Sequence, residues 1–360
     1  MRIAGLILFA AIVLNGLSPG FCKQGSGPGG PGGPGGMDGT GSGRQSGARG
    51  EALGGGGVAL TGDILSSFYN PAGIYGGTGI SVATSFGDAG EVPGYGDYRL
   101  LGAGIPVKDW GVVGLTWYGF DYEYALDEDG PEDEIYSGKA SVYTLTFAGE
   151  PTEDLYVGAN LNLLGQAISG ETKTAFWPDM GLMKIFRLPG KANARHRIIL
   201  GSSLANLTRA SIDTPGGSEE LPSTFRIGAS YSLSYIHKSW MNMARLFNVL
   251  VHAEYRDLLN LSYGDGPRLG VELTILEMLS ARLGYYYEDT GDYEEQIGLA
   301  QIERSTFGLG LALPVYRFTG GSVPLRATLD WAEIEIQPYL TESGDTETYS
   351  SWTVAVDWYY

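Results

Sequence analysis

The stretch PRLGVELTILEMLSARLGYYY, residues 267–287, decides the fold. Leu269, Val271, Leu273 and Ile275 alternate with Arg268, Gly270, Glu272 and Thr274. Past Glu277-Met278, Ala281, Leu283, Tyr285 and Tyr287 alternate with Ser280, Arg282, Gly284 and Tyr286. A period of two is that of a β-strand, and two such runs across a short break form an antiparallel hairpin. One face is oily throughout; the other is small, polar or charged.

The same pattern extends in both directions. Phe225, Ile227, Ala229, Tyr231 and Leu233 share one face, and so do Leu155, Val157, Ala159, Leu161 and Leu163. Strands are expected near 79–86, 98–107, 111–122, 139–148, 155–166, 174–186 and 197–207, then near 223–234, 248–256, 267–275, 279–287, 302–313, 325–337 and 350–360. That makes about fourteen, an even number, as closed bacterial barrels have. In 325–337 the oily set Leu325, Ala327, Leu329 and Trp331 gives way to Ile334 and Ile336, so a bulge near Ala332 is expected. Every second connection is short: 106–109, 150–154, 187–197, 237–245, 277–278 and 317–324. The alternate set is longer and mostly acidic, including 121–137, 288–295 and 342–347. Short inner turns against longer outer loops are the mark of a transmembrane barrel, and a soluble sandwich gives no reason for them. The expected class is therefore all-β: a closed antiparallel transmembrane β-barrel.

Composition agrees. Across 360 residues the formal charge is −18, with 41 acidic against 23 basic side chains, which repels phosphate backbones and argues against nucleic acid as a partner. Gly (57) and Tyr (23) are abundant, suiting twisted sheets with an interfacial aromatic belt. Cys22 is the single cysteine, so no internal disulfide supports the fold. Arg2 followed by the apolar run Ile3–Leu14 is too short to span a bilayer as a helix and reads as a secretory signal over 1–20, with Ser18-Pro19-Gly20 before the cleavage point. Lipidation at Cys22 is the weaker alternative, because Phe21 stands where such a site wants Gly or Ala. Residues 21–47, Gly/Pro-rich, read as a flexible linker, and the triplet period of collagen is lost within a few repeats. The barrel itself is expected over 79–360.

At the C-terminus Trp352, Val354, Val356, Trp358 and Tyr360 fall on one face, and this alternation up to a final aromatic resembles the assembly signal of outer-membrane barrels. Before the first strand, residues 48–78 contain Arg49, the Gly54–Gly57 run, and Asp63 followed by Asn70-Pro71-Ala72-Gly73. Asp63 can cap a short helical turn and Asn70-Pro71 turns the chain out of it. The glycine run permits close backbone packing, and it lacks the Lys-Ser/Thr ending of a phosphate loop.

The Arg49, Leu53-Gly54-Gly55 and Asp63…Asn70-Pro71-Ala72-Gly73 series resembles the N-terminal segment of the PorV/PorQ family, within the FadL-type (long-chain fatty-acid transporter-like) outer-membrane barrels. Trp177-Pro178-Asp179-Met180-Gly181-Leu182, Leu221-Pro222-Ser223-Thr224-Phe225-Arg226 and Arg282-Leu283-Gly284-Tyr285 are similar to later strands of that group. The resemblance implies a fourteen-stranded barrel with an N-terminal lumenal plug, in which Arg49, Asp63, Asn70, Pro71, Ala72 and Gly73 are plug residues. The Gly/Pro linker and the short outer loops depart from that pattern.

On the inward face the neighbouring strands carry Arg226, His252, Glu254, Arg256, Arg268, Glu272 and Arg282. They are expected to meet on one wall, as a salt-bridged network filling the interior or as a polar pathway. No enzyme is expected: the three histidines, His196, His237 and His252, form no triad, His196 and His237 fall in expected inner turns, and no metal-ligand spacing is visible. No cofactor and no metal are expected. Two functions stand: a FadL-like conduit for hydrophobic small molecules, or a PorV-like component docking secreted proteins or a type IX-like secretion machine. A structural barrel with a sealed lumen is the third. The expected setting is the bacterial outer membrane, with its lipid and the barrel assembly machinery as partners.

Overall fold

The computed structural model describes residues 47–76, 79–88, 98–125, 135–168, 171–191, 193–214, 217–236, 245–260, 264–289, 301–336 and 347–359. Fourteen strands close into one antiparallel barrel. They are β1 (Gly79–Asp88), β2 (Tyr98–Val107), β3 (Gly111–Ala125), β4 (Ile135–Thr152), β5 (Leu155–Ile168), β6 (Glu171–Leu188) and β7 (Ala194–Ala205). After a separate hairpin, β8 (Ser211–Thr214) and β9 (Gly217–Glu220), come β10 (Thr224–Ile236), β11 (Arg245–Leu258), β12 (Gly266–Ile275), β13 (Leu279–Asp289), β14 (Gln301–Pro314), β15 (Leu325–Ile336) and β16 (Glu347–Tyr359). Each barrel strand pairs with its chain neighbour, except that β7 pairs with β10, and β1 closes on β16 from Gly79↔Tyr359 to Asp88↔Ser350. Closure leaves no exposed sheet edge running round the wall.

The alternation settles which face is which. Leu283 (63% exposed), Leu115 (59%) and Phe176 (57%) lie on the outside, among many aliphatic and aromatic neighbours. The residues between them are buried inside. Trp352, Val354, Val356 and Trp358 sit on the outer face of β16, opposite buried Ser351 and Thr353; Tyr360 lies outside the described residues. The barrel has a turn end, holding the start of β1 and the end of β16, and a loop end.

Several expectations need correction. No register shift occurs in β15: its pairing with β16 runs unbroken from Leu325↔Trp358 to Ile336↔Glu347, so there is no bulge at Ala332. Instead Ala332 and Ile334 point inward with Asp330, and the lumen simply turns apolar at that height. Strands β3 and β4 run several residues further than expected, to Ala125 and from Ile135. The loop-end connection between β5 and β6 is only residues 169–170, not a long loop. Glu288, expected in a loop, belongs to β13. His196 is in β7, facing out against the Tyr231 hydroxyl at 2.7 Å; His237 lies outside the described residues. Pro178 has no N–H to offer β7, and β6–β7 pairing begins only at Met180↔Leu204. The β8–β9 hairpin was not anticipated.

At the turn end, Asp154 joins β4 to β5, and the Arg187 guanidinium donates to both its carboxylate oxygens at 2.6–3.2 Å. That hydrogen bonding and charge hold the Asp154 carboxyl below its ordinary value of 3.8. A lowered carboxylate stabilises the fold fully above the unfolded value and loses that contribution as pH falls through the folded one. The protection factor of the Ile185 amide, which donates to the Asp154 carbonyl at 2.8 Å, is expected to fall only below pH 3.8, and Asp154→Asn to remove the pH step.

A second expectation concerns the outer belt. Leu283→Arg should weaken folding into lipid vesicles by about 2–4 kcal/mol in a urea titration, whereas Leu283→Ile should be neutral.

Candidate functional site

Residues 47–76 lie inside the barrel. Helix α1 (Ala48–Glu51) packs against β14, β15 and β16, while the turn Pro71–Ile74 packs against β4, β5 and β6. The segment therefore crosses the lumen from wall to wall. Asp63 Oδ1 accepts from the Leu65 amide (2.9 Å) and starts a 3₁₀ turn, Ile64–Phe68. Asn70 Oδ1 accepts from the Ala72 amide (3.0 Å) and starts the next, with Pro71 at its first position. So Asn70-Pro71 does not only end one turn; it opens another.

Asn70 is wholly buried and its amide donates to the carbonyls of Val58 (2.8 Å), Leu182 (3.1 Å) and Ser202 (3.2 Å). One side chain thus ties two parts of the segment to two strands. The wall makes room with glycine: a Cβ on Gly181 would sit 1.9 Å from Asn70 Oδ1, and one on Gly201 would sit 2.1 Å from the Val58 carbonyl. Pro71, Ala72 and Gly73 are buried against this same wall.

Adjoining it, from β7 onward round the barrel, stands the charged wall of β10–β13. The seven residues singled out from sequence are all buried there, but they divide into three groups. Glu254 accepts from Arg226 Nη1 (2.6 Å) through one oxygen and from the Gly57 and Val58 amides (2.7 and 2.8 Å) through the other; His252 Nε2 lies 3.4 Å from that second oxygen. Glu272 takes a forked pair from Arg49 (2.9 and 3.0 Å) and a third bond from Arg282 (2.7 Å), which also reaches Asp330 (2.7 Å). Arg256 and Arg268 share Glu288 at 2.7 and 2.6 Å, toward the loop end. Only the first two groups hold the segment. Asp63 caps its turn and makes no wall ion pair among the described residues.

Sequence reasoning missed Asp330, Glu288 and the buried Glu51. Asp330 follows Arg326 and Thr328 on the polar phase of β15, a signal that was available. Glu51 accepts from the Tyr98 hydroxyl (2.7 Å) and from the Ser351 hydroxyl.

Tyr98 introduces a feature that polarity patterning did not predict. In the loop-end half of the lumen a large part of the inward surface is apolar and aromatic, facing the buried Arg256, Arg268 and Arg304 of β11, β12 and β14. Tyr98 stacks between Tyr118 (5.6 Å) and Tyr349 (6.4 Å), joined in one buried cluster by Trp177, Ile334 and Tyr286. The turn-end half is the reverse: a cavity of about 390 Å³ lined by Arg49, Asp63, Arg282, Arg326, Asp330 and Asp357 among others. The segment lies between this aromatic cluster and the charged cavity. Among the described residues no three His, Cys, Asp or Glu gather as a metal site.

No family model matches the chain, and no curated protein matches it in sequence. Among solved structures it is similar to a Pseudomonas aeruginosa FadL homologue (TM-score 0.47, 11% identity, 88% of this chain and 98% of that one). It is similar also to the CymD monoaromatic hydrocarbon channel (TM-score 0.46, 12% identity, 87% and 98%). A third is the Pseudomonas putida toluene transporter TodX (TM-score 0.45, 12% identity, 87% and 97%).

Glu254→Gln removes the anion that holds both Arg226 and the Gly57 and Val58 amides, and a broken buried pair costs about 3–5 kcal/mol. Hydrogen exchange of amides 57 and 58 should rise by orders of magnitude, while exchange in β2–β4 stays as in the parent. Unchanged protection at 57 and 58 would show that Glu254 does not hold the segment.

Proposed function

We propose that this chain is a bacterial outer-membrane protein and a FadL-like conduit for hydrophobic small molecules, with residues 48–78 as its plug. The observation that carries the reading is the aromatic and aliphatic cluster in the loop-end half of the lumen, with Tyr98, Tyr118, Trp177, Ile334 and Tyr349 facing inward. Transmembrane barrels ordinarily have polar interiors. Aromatic and aliphatic lining gives a hydrophobic solute a place to leave water, and area removed from water is worth about 25 cal/mol per Å². The exposed apolar belt on the outside supports placement in lipid, and the tight connections support a turn end facing the periplasm. The outward Trp352, Val354, Val356 and Trp358, with Tyr360, would be read by the barrel assembly machinery. A PorV-like docking role rests on the resemblance of the Arg49 to Gly73 series and of later strands to that family, and a sealed structural barrel leaves the aromatic lining without a use.

The test is uptake. A host lacking its own channel for hydrophobic compounds, expressing this barrel with heat-modifiable gel mobility, should take up labelled oleate or toluene several-fold faster than the empty host. Trp177→Asp should cut the gain about tenfold, since an unpaired carboxylate in an apolar layer is costly. Uptake equal to the empty host with a folded barrel would remove the conduit, and recovery of secreted proteins on the barrel would favour docking.

A further inference from the structure

Where the aromatic cluster meets the segment, a small cavity of about 40 Å³ is lined by Ser67, Phe68, Val142, Trp177, Asp179 and Arg226, among others. It has room for one or two waters or one small polar group. Its apolar side continues into the aromatic cluster, which contains Val142 and Trp177 with Phe68 packed against it. Its polar side is unusual. Ser67 is 1% exposed, and its hydroxyl has no hydrogen-bond partner among the described residues. A buried hydroxyl left unmade costs about 1–3 kcal/mol, so such a group in a cavity marks a place where a partner is missing.

The charges round this cavity are already committed. Asp179 Oδ2 accepts from the side-chain amides of Asn160 (2.9 Å) and Asn162 (2.7 Å), and Oδ1 from the Asn206 backbone amide (2.9 Å). Arg226 is bonded to Glu254 at 2.6 Å, with its guanidinium over the Tyr69 ring at 5.5 Å. Among the described residues no ion pair neutralises Asp179, so its field fills the cavity while Arg226 is spent elsewhere.

We infer that this cavity is a subsite for the neutral polar end of an otherwise hydrophobic molecule, an alcohol or phenol hydroxyl, and that it rejects carboxylates. The inference rests on the conduit reading and adds the solute class to it. Ser67 Oγ can donate to and accept from a ligand hydroxyl, while the chain or ring lies along Phe68, Val142 and Trp177. A carboxylate in the same place would stand beside Asp179 with no cation left to pair with it. Long-chain acids and alcohols of equal length should therefore separate here, although their apolar bodies are the same.

Equilibrium binding of tritiated 1-decanol, decanoate and decane to the full chain in detergent at pH 8 tests this. In the parent, 1-decanol should bind at least about tenfold tighter than decanoate. Ser67→Ala should bring 1-decanol down to the level of decane and leave decane unchanged. Asp179→Asn should raise decanoate affinity about tenfold; if that variant loses heat-modifiable mobility, the parent and Ser67→Ala decide between them. Decanoate binding as tightly as 1-decanol in the parent, or 1-decanol binding unaltered in Ser67→Ala, overturns the subsite while decane binding leaves the conduit standing. Binding of none of the three overturns both.

Discussion

A carboxylate buried inside a barrel must find cations or amides, because the surrounding wall offers it no water. Glu254 and Glu272 meet that constraint by sharing themselves between the wall and the chain that crosses the lumen. Each accepts from a wall arginine, Arg226 or Arg282, and each also accepts from the segment, through the Gly57 and Val58 amides or through Arg49. The wall is incompletely satisfied without the segment, and the segment has no other counter-ion for Arg49 among the described residues. The position of the lumen-crossing chain thus follows from electrostatics and glycine clearance together: Gly181 and Gly201 admit Asn70 and Val58, and Gly270 and Gly284 of the charged wall admit Leu53 and Gly54.

The barrel was legible because its information is periodic. Alternation along β12–β13 or β10 repeats often enough to fix strand, register and face without any tertiary contact. The charged wall was legible for the same reason: residues on one phase of four neighbouring strands must come together. What escaped was everything that broke the assumption of a polar interior. Ile334 looked like a change of phase because an inward isoleucine was not expected, whereas the strand kept its phase and the lumen changed its character. Tyr98, Tyr118 and Tyr349 were indistinguishable in sequence from interfacial tyrosines. Glu288 reads as a loop residue among other acids, although its strand runs on to Asp289. The β8–β9 hairpin is too short and too polar, at four residues a strand, to show a period at all.

Within the segment, the arrangement found in space is more specific than the motif that pointed to it. The Asn70-Pro71-Ala72-Gly73 block does three separate jobs: a cap for the following turn, a bridge to β6 and β7, and small residues against β5. Arg49, by contrast, works only through Glu272, a partner 223 positions away, which no local reading could supply.

The ties of the segment are not equal, and their ranking says which part can yield. Residues 49, 57 and 58 are held by buried carboxylates, and undoing such a pair costs about 3–5 kcal/mol. The turns spanning residues 64–74 are held by neutral hydrogen bonds, worth about 0.5–1.5 kcal/mol each, and by Ile64, Leu65 and Ile74 packed on the glycine-lined faces of β2 and β3. Apolar packing of that kind costs about 1.5–3 kcal/mol per side chain if water replaces the lost neighbour. A hydrophobic solute replaces it with apolar surface instead, and most of that cost disappears. On the conduit reading, therefore, the charged ties keep the glycine run and Arg49 in place, and the 3₁₀ turns that face the aromatic cluster are the portion whose packing a hydrophobic solute can replace.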